Sequence, residues 1–268
     1  MRGVYDTRGM SRLPILARVF FAALAACWLL SPCLAQKKQL RVAAAADLQT
    51  AMPEIAGAFE AQTGVKVDVV YGSSGNFFAQ IQNGAPLDVF FSADSEYPRK
   101  LEESGFAEPH SAAIYGIGSI VLWMPTSAGC NPDVDGWKCL WSVKKIAIAN
   151  PVHAPYGRAA VAALQKAGIY EQLKAKLVIG ENISQAAQFV QSGNAQAGIL
   201  AYSLTRSAAL IGGKQWAIPK DLYPPIEQTV IVLKSSKEKA AAQEFVKFVT
   251  QGPGRAVLEK FGFQPPAK

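Results

Sequence analysis

The 268-residue chain is short of the residues on which metal and nucleophile chemistry depend. It has two histidines, His110 and His153, and four cysteines. A protein-held metal site needs more ligands than that supply offers. Charged residues are 18% of the chain, and no cluster of Lys and Arg is interleaved with aromatics, so the footprint of a nucleic-acid binder is missing. The Gly-x-Ser-x-Gly elbow of serine hydrolases is also absent, because "GSSG" at Gly72–Gly75 has the wrong spacing. Paired carboxylates are hard to find: Asp94 reads as a helix cap beyond the strand that Asp88 precedes, and Glu102 and Glu103 read as a solvated helix face. Beyond the N-terminus there is neither internal repeat nor low-complexity tract.

What the chain does have is a 50% hydrophobic composition, enough for a sizeable core, and a length that suits one large or two medium domains. Residues 1–35 are set apart. Arg8, Arg12 and Arg18 precede the apolar run "VFFAALAACWLL", and "CLA" supplies a small-residue cleavage site before Gln36, the pattern of a secretory signal peptide. Ser31 and Pro32 stop the run short of the roughly 20 residues that span a bilayer, which counts against a retained anchor. Cys27 in "LAAC" leaves open a lipid-anchored form. Either route implies export. Without residues 1–35 four arginines and Asp6 are gone, and the formal charge falls from +7 to +4, a mild positive field suited to capture of a small anion. Only Cys130 and Cys139 then remain. In an oxidising compartment their spacing reads as a disulfide stapling a surface loop, with a metal site as the alternative.

Periodicity divides the rest into α/β units. "LRVAAAA" and "VKVDVVYG" read as strands around a helix carrying Leu48, Met52, Ile55 and Phe59. A helix at "NFFAQIQNG", a strand at "LDVFFSAD" and a helix from "YPRKLEESG" continue the pattern. It restarts after the cysteine pair with strand "KKIAIAN", helix "GRAAVAALQKAG", strand "AKLVIG", helix "SQAAQFVQSG" and strand "AGILAY". "GSIVLWMP" and "IEQTVIVLK" are strands that would cross between the two sets. The expectation is two lobes, 36–120 with 226–268 and 121–225, each a mostly parallel sheet flanked by helices, with a ligand cleft between them.

Four strand-to-helix turns are short and rich in small or polar residues: "AAAADLQ", "YGSSGNF", "NPVHAPYGRAA" and "GENISQAA". First-turn N–H groups lack helical acceptors and carry partial positive charge, so several such ends facing one cleft can hold an oxyanion without Lys or Arg. Gly72 and Gly75 permit close approach, and the hydroxyls of Ser73 and Ser74 can donate. Ordinary capping by a serine or Asn76 explains any single turn equally well. A serine nucleophile would need His110 or His153 as its base.

The segments "AAAADLQTAM", "GSSGNFFAQIQNGAPLDVFFSAD", "NPVHAPYGRAA", "GENISQAAQFVQSGNAQAGIL" and "FGF" resemble the substrate-binding proteins of molybdate ABC transporters, within the type 2 periplasmic binding proteins. The likeness runs from about Leu40 to Phe263. It implies a monomeric, non-enzymatic periplasmic receptor that holds molybdate or tungstate, needs no cofactor and delivers its anion to an inner-membrane permease. By position, Ser74 matches a serine that donates to the anion, while Tyr156 and Ile183 match residues that give backbone N–H groups. Ser73, Gly75 and Asn182 flank them. Asp47 replaces a family serine, so it either caps its own helix through the N–H of Gln49 or Thr50, or contacts the ligand. Ala201 aligns with the family tyrosine, and Tyr202 follows it. These departures keep two rivals open: a receptor for another small anion or organic solute, and, more remotely, a secreted hydrolase using Ser73 or Ser74 with His153.

Overall fold

The computed structural model describes residues 38–266. The signal-peptide and lipid-anchor readings concern residues outside that range. In chain order, β1 (Gln39–Ala45) runs into a 3-10 turn at Ala46–Gln49, followed by α1 (Met52–Thr63), β2 (Lys66–Gly72), α2 (Ser74–Gln82), β3 (Val89–Ser92), α3 (Glu96–Glu103) and β4 (Ala113–Gly118). Next come β5 (Ile120–Met124), α4 (Pro132–Asp135), β6 (Ile146–Ala149), α5 (Pro155–Lys166), α6 (Tyr170–Leu173), β7 (Leu177–Gly180), α7 (Ile183–Gln191), β8 (Ala197–Ala201), α8 (Tyr202–Thr205) and β9 (Lys214–Ala217). The chain closes with β10 (Ile226–Val232), α9 (Lys239–Thr250) and α10 (Pro253–Lys260). Among the described residues no helix is long and apolar enough to cross a membrane.

These elements build two five-stranded sheets of one design, ordered β2-β1-β3-β10-β4 and β7-β6-β8-β5-β9. In the first, β1 pairs in parallel with β2 and β3, while β10 runs antiparallel to β3 and β4. In the second, β6 pairs in parallel with β7 and β8, while β5 runs antiparallel to β8 and β9. Each sheet is therefore mixed, with its one reversed strand next to the edge. The chain passes from the first sheet to the second across Ser119 alone and is back in the first at Ile226.

The central strands are apolar on both faces because helices cover both faces. Strands β3, β6 and β8 are buried at every residue. Under the first sheet the packing is aromatic: the Phe59 ring lies 4.9 Å from Phe245 and 5.4 Å from Phe248, and Phe91 lies 5.8 Å from Phe245. Alanines dominate around the second, with Ala147, Ala160, Ala163, Ala186 and Ala197 fully buried. Small side chains there let α5 and α7 sit close on β6 and β8.

Three local features differ from the periodicity. Strand β4, "AIYGIG", carries two glycines, and β9, "KQWA", is a four-residue edge strand, so neither gives a strong alternating signal. Helix α1 begins at Met52, with Pro53 in its first turn, and Asp47 and Leu48 fall in the preceding 3-10 turn. Cys130 and Cys139 are joined as a disulfide, Cα atoms 5.6 Å apart, which removes the metal alternative at that pair.

Candidate functional site

All four strand-to-helix turns line one small, tightly closed pocket. The first sheet contributes Ala45, Ala46 and Asp47 where β1 ends, Gly72, Ser73 and Ser74 where β2 gives way to α2, and Ala93 after β3. The second contributes Ala154, Pro155 and Tyr156 at the start of α5, and Asn182 and Ile183 at the start of α7. No Lys, Arg or His lines it, so positive potential must come from peptide dipoles.

Each turn is built by its own sequence. Ser73 has the extended backbone of an N-cap, and its Oγ accepts from the N–H of Asn76 at 3.4 Å, which puts Ser74 in the first turn of α2. Ser74 is 1% exposed; its Oγ accepts from the N–H of Ala93 at 2.9 Å, leaving the hydroxyl hydrogen available to a ligand. Asn182 caps α7, accepting from the N–H of Gln185 at 3.0 Å, and leaves Ile183 as the first helical residue. Helix α5 has no side-chain cap and opens with Pro155, which has no N–H, so the first N–H it can offer belongs to Tyr156.

Asp47 is the unusual member. It is fully buried, and its Oδ2 accepts from the Tyr156 hydroxyl at 3.0 Å and from Gln228 Nε2 at 2.7 Å. Tyr115 donates to Gln228 Oε1 at 2.5 Å, which fixes the amide end that faces Asp47. Oδ1 has no hydrogen-bond partner among the described residues. Burial raises the Asp47 pKa to about 7, against the lowering effect of Gln228, of Tyr156 and of the main-chain N–H groups of Asp47 and Leu48. Burial first, and the Asp47 charge second, push Tyr156 and Tyr115 well above the usual phenol range. The carboxylate makes no bond to the N–H of Gln49 or Thr50; its side-chain donors come from elsewhere in the fold, and the nearest main-chain N–H groups that act on it are those of Asp47 and Leu48.

The other expected residues divide. Gly75 sits beside the pocket, donating its N–H to the carbonyl of His153 at 2.9 Å. A Cβ on Gly75 would lie 2.7 Å from both His153 Cβ and the Tyr97 hydroxyl, so glycine is required by that approach. Ala201 is paired to Ile120 inside the second sheet and does not line the pocket. Tyr202 does not either: its ring packs against Gly262, 6.0 Å from the Arg206 guanidinium, in a separate groove with Lys260 and Gln264. The offset of one residue from Ala201 turns the side chain away.

Other side chains tie the two sheets together around the pocket. His153 Nδ1 lies 2.9 Å from Ser73 Oγ, and its Nε2 lies 3.4 Å from Glu181 Oε1. Asn76 Nδ2 donates to the same Glu181 oxygen at 2.6 Å, Ser203 Oγ donates to the carbonyl of Asp47 at 2.8 Å, and Arg158 pairs with Asp94. Burial raises the Asp94 carboxyl, while the N–H of Tyr97 and the Arg158 guanidinium oppose it. Gln228 and Tyr115 were not singled out by sequence. The only trace was a glutamine inside the apolar run "IEQTVIV".

Residues 40–264 match the family described as bacterial extracellular solute-binding protein. This chain belongs to that family. Among its relatives is the molybdate-binding protein ModA of Azotobacter vinelandii, 41% identical over 86% of this chain and 92% of that protein. The molybdate-binding protein ModA of Rhodobacter capsulatus is 40% identical over 82% of this chain and 86% of that protein. Among solved structures, the periplasmic molybdate-binding protein of Azotobacter vinelandii superposes with a TM-score of 0.79 at 37% identity, covering 85% of this chain and all of that one. The two sheets flanked by helices are the two-lobed architecture of those solute-binding proteins, and these relatives are named as binding proteins rather than enzymes.

Proposed function

We propose that this solute-binding protein captures molybdate or tungstate in the pocket between its sheets and hands the anion to an ABC permease from the periplasmic side of the membrane. The observation that carries the reading is a pocket with no basic side chain on which three helix starts converge, in a chain 41% identical to a molybdate-binding protein. A buried oxyanion in such a site is held by neutral donors: the Ser74 hydroxyl, and the first-turn N–H groups of Tyr156 and Ile183, with Ser73, Asn182 and Gly75 shaping the turns. No cofactor or resident metal enters this reading. The two sheets with their helices act as lobes that close by bending at Ser119 and near Ile226, and the interlobe bonds around His153, Asn76 and Arg158 hold the closed form. Selectivity comes from size, because an anion too small to reach every donor leaves buried N–H or O–H groups unpaired at about 1–3 kcal/mol each.

Calorimetric titration of ligand-stripped protein with molybdate, tungstate, sulfate and phosphate tests this. Tight binding of molybdate and tungstate with weak or no binding of the others is expected; a preference for sulfate, phosphate or an organic anion would replace the ligand while keeping the receptor.

A further inference from the structure

We propose that Asp47 meets the bound oxyanion as a neutral carboxylic acid, with its Oδ1–H donating to an anion oxygen, so that capture takes up a proton wherever the free carboxyl is ionised. This rests on the oxyanion reading above and adds the protonation state of its least expected residue.

The geometry assigns the two carboxyl oxygens different work. Oδ2 already accepts from Tyr156 and Gln228, so it is the acceptor atom. Oδ1 belongs to a fully buried residue that lines the pocket, and it has no partner among the described residues. An unprotonated Oδ1 would set a lone-pair-bearing, negatively charged atom against the oxygens of a dianion, with neither Lys nor Arg lining the pocket to offset it. Placing one proton on Oδ1 turns that acceptor into a donor and removes the repulsion. It also satisfies a buried polar atom that the protein alone leaves unpaired.

The groups around Asp47 leave it as the proton site. From α5 comes Tyr156, from β4 Tyr115, from β10 the amide of Gln228, and from α8 Ser203 on its carbonyl. Burial keeps both phenols protonated. Asp94 acts on Tyr115 and is paired with Arg158; Tyr223 acts on Tyr156; His153 contacts Ser73 through Nδ1 and Glu181 through Nε2. The Asp47 pKa of about 7 in the folded chain agrees with a carboxyl that is readily protonated at neutral pH. A dianion beside it raises that value further. The proton comes from solvent as the lobes close.

The test is calorimetric titration with molybdate between pH 6 and pH 9, in buffers of different ionisation enthalpy, on the protein and on Asp47→Asn. The expected result is little proton uptake at pH 6 and uptake rising toward one proton per molybdate above pH 7, where Kd weakens by up to about tenfold per pH unit, and neither effect in Asp47→Asn, whose amide donates at every pH. Tight binding with no proton uptake and a flat Kd would overturn the proposal and leave the oxyanion reading intact. Absence of molybdate binding by the folded protein at every pH would overturn both. If Asp47→Asn does not fold, infrared difference spectra of the unsubstituted protein decide: a carboxylic-acid C=O band that grows on adding molybdate is expected, and no such band overturns the proposal.

Discussion

The hydroxyl of Tyr156 donates to Asp47 Oδ2 over 3.0 Å, joining residues 109 apart in the chain and attached to different sheets. One residue thus does two jobs: its main chain opens α5 at the pocket, and its side chain reaches across to the other lobe. Its ring is 2% exposed, so the bond is made in a dry environment. Replacing Tyr156 with Phe removes one of two donors to a buried carboxyl while preserving the ring. The expected cost is about 1–3 kcal/mol in urea unfolding at pH 8, and less at pH 5, where a protonated Asp47 needs its donors less. An unchanged midpoint at pH 8 would show that the bond contributes nothing.

Asp47 itself sets a pH dependence of stability. Its pKa rises from 3.8 to about 7 on folding, so the folded chain binds the extra proton between those values. Stability from this residue is fully present below about pH 4 and is lost as pH rises through 7, opposite to the behaviour of a salt-bridged aspartate. Asp47→Asn should remove that decline. Ligand-free, it should be more stable than the parent chain at pH 8 by up to about 4 kcal/mol and nearly equal to it at pH 4, read from denaturant midpoints across that range. An Asn variant that tracks the parent at both pH values would mean that Asp47 is solvated in solution.

The frame of this protein was legible because its signals are local. Runs such as "VFFS" and "IAIA", buried on both faces, mark central strands, and small polar turns mark helix starts. Ser74, Tyr156 and Ile183 lie in such turns, and the family resemblance is what singles them out there. Tyr202 was not placed by it, because the one-residue choice between Ala201 and Tyr202 depends on where β8 ends and which side α8 presents. Gln228 and Tyr115 were invisible for a different reason: their partner lies far along the chain, and no local period encodes a long-range hydrogen bond. Asp47 was legible as an anomaly but not in its role, since capping and ligand contact use the same residue type at the same position.

Gly75 is one of the points where the two lobes touch. Its N–H bonds to His153, and an added Cβ would collide with His153 and Tyr97. Gly75→Ala should therefore hinder closure more than folding of either sheet. The expected outcome is molybdate affinity weakened by more than tenfold with a thermal midpoint within a few degrees of the parent. A large fall in the midpoint with affinity retained would place the strain inside a lobe instead.

Ser73, His153 and Glu181 stand in an order that a hydrolase would use, with 2.9 Å from Ser73 Oγ to His153 Nδ1. Ser73 Oγ also caps α2, and Gly75 holds the His153 carbonyl, so the cluster works as an interlobe clasp. His153→Ala and Ser73→Ala should weaken anion binding several-fold, with the parent protein showing no esterase turnover on small activated esters. Turnover that both substitutions abolish would restore the hydrolase reading.

The disulfide between Cys130 and Cys139 closes a short loop that contains α4, and the loop supplies no residue to the pocket lining. The loop has a second tether, since Trp137 stacks edge-on against Trp216 of β9 with ring centres 5.1 Å apart. Cross-linking so short a segment removes little unfolded-chain entropy, about 2–3 kcal/mol at most. The Trp pair keeps the reduced loop near its place, so Cys130→Ser with Cys139→Ser should lower stability by less than that ceiling. Molybdate affinity should be unchanged, because neither cysteine lines the pocket. Thermal unfolding with and without reductant reads the first effect, and calorimetry the second. An affinity that falls with the disulfide removed would mean that the loop, through β9 and its neighbour β5, helps position the second lobe for closure.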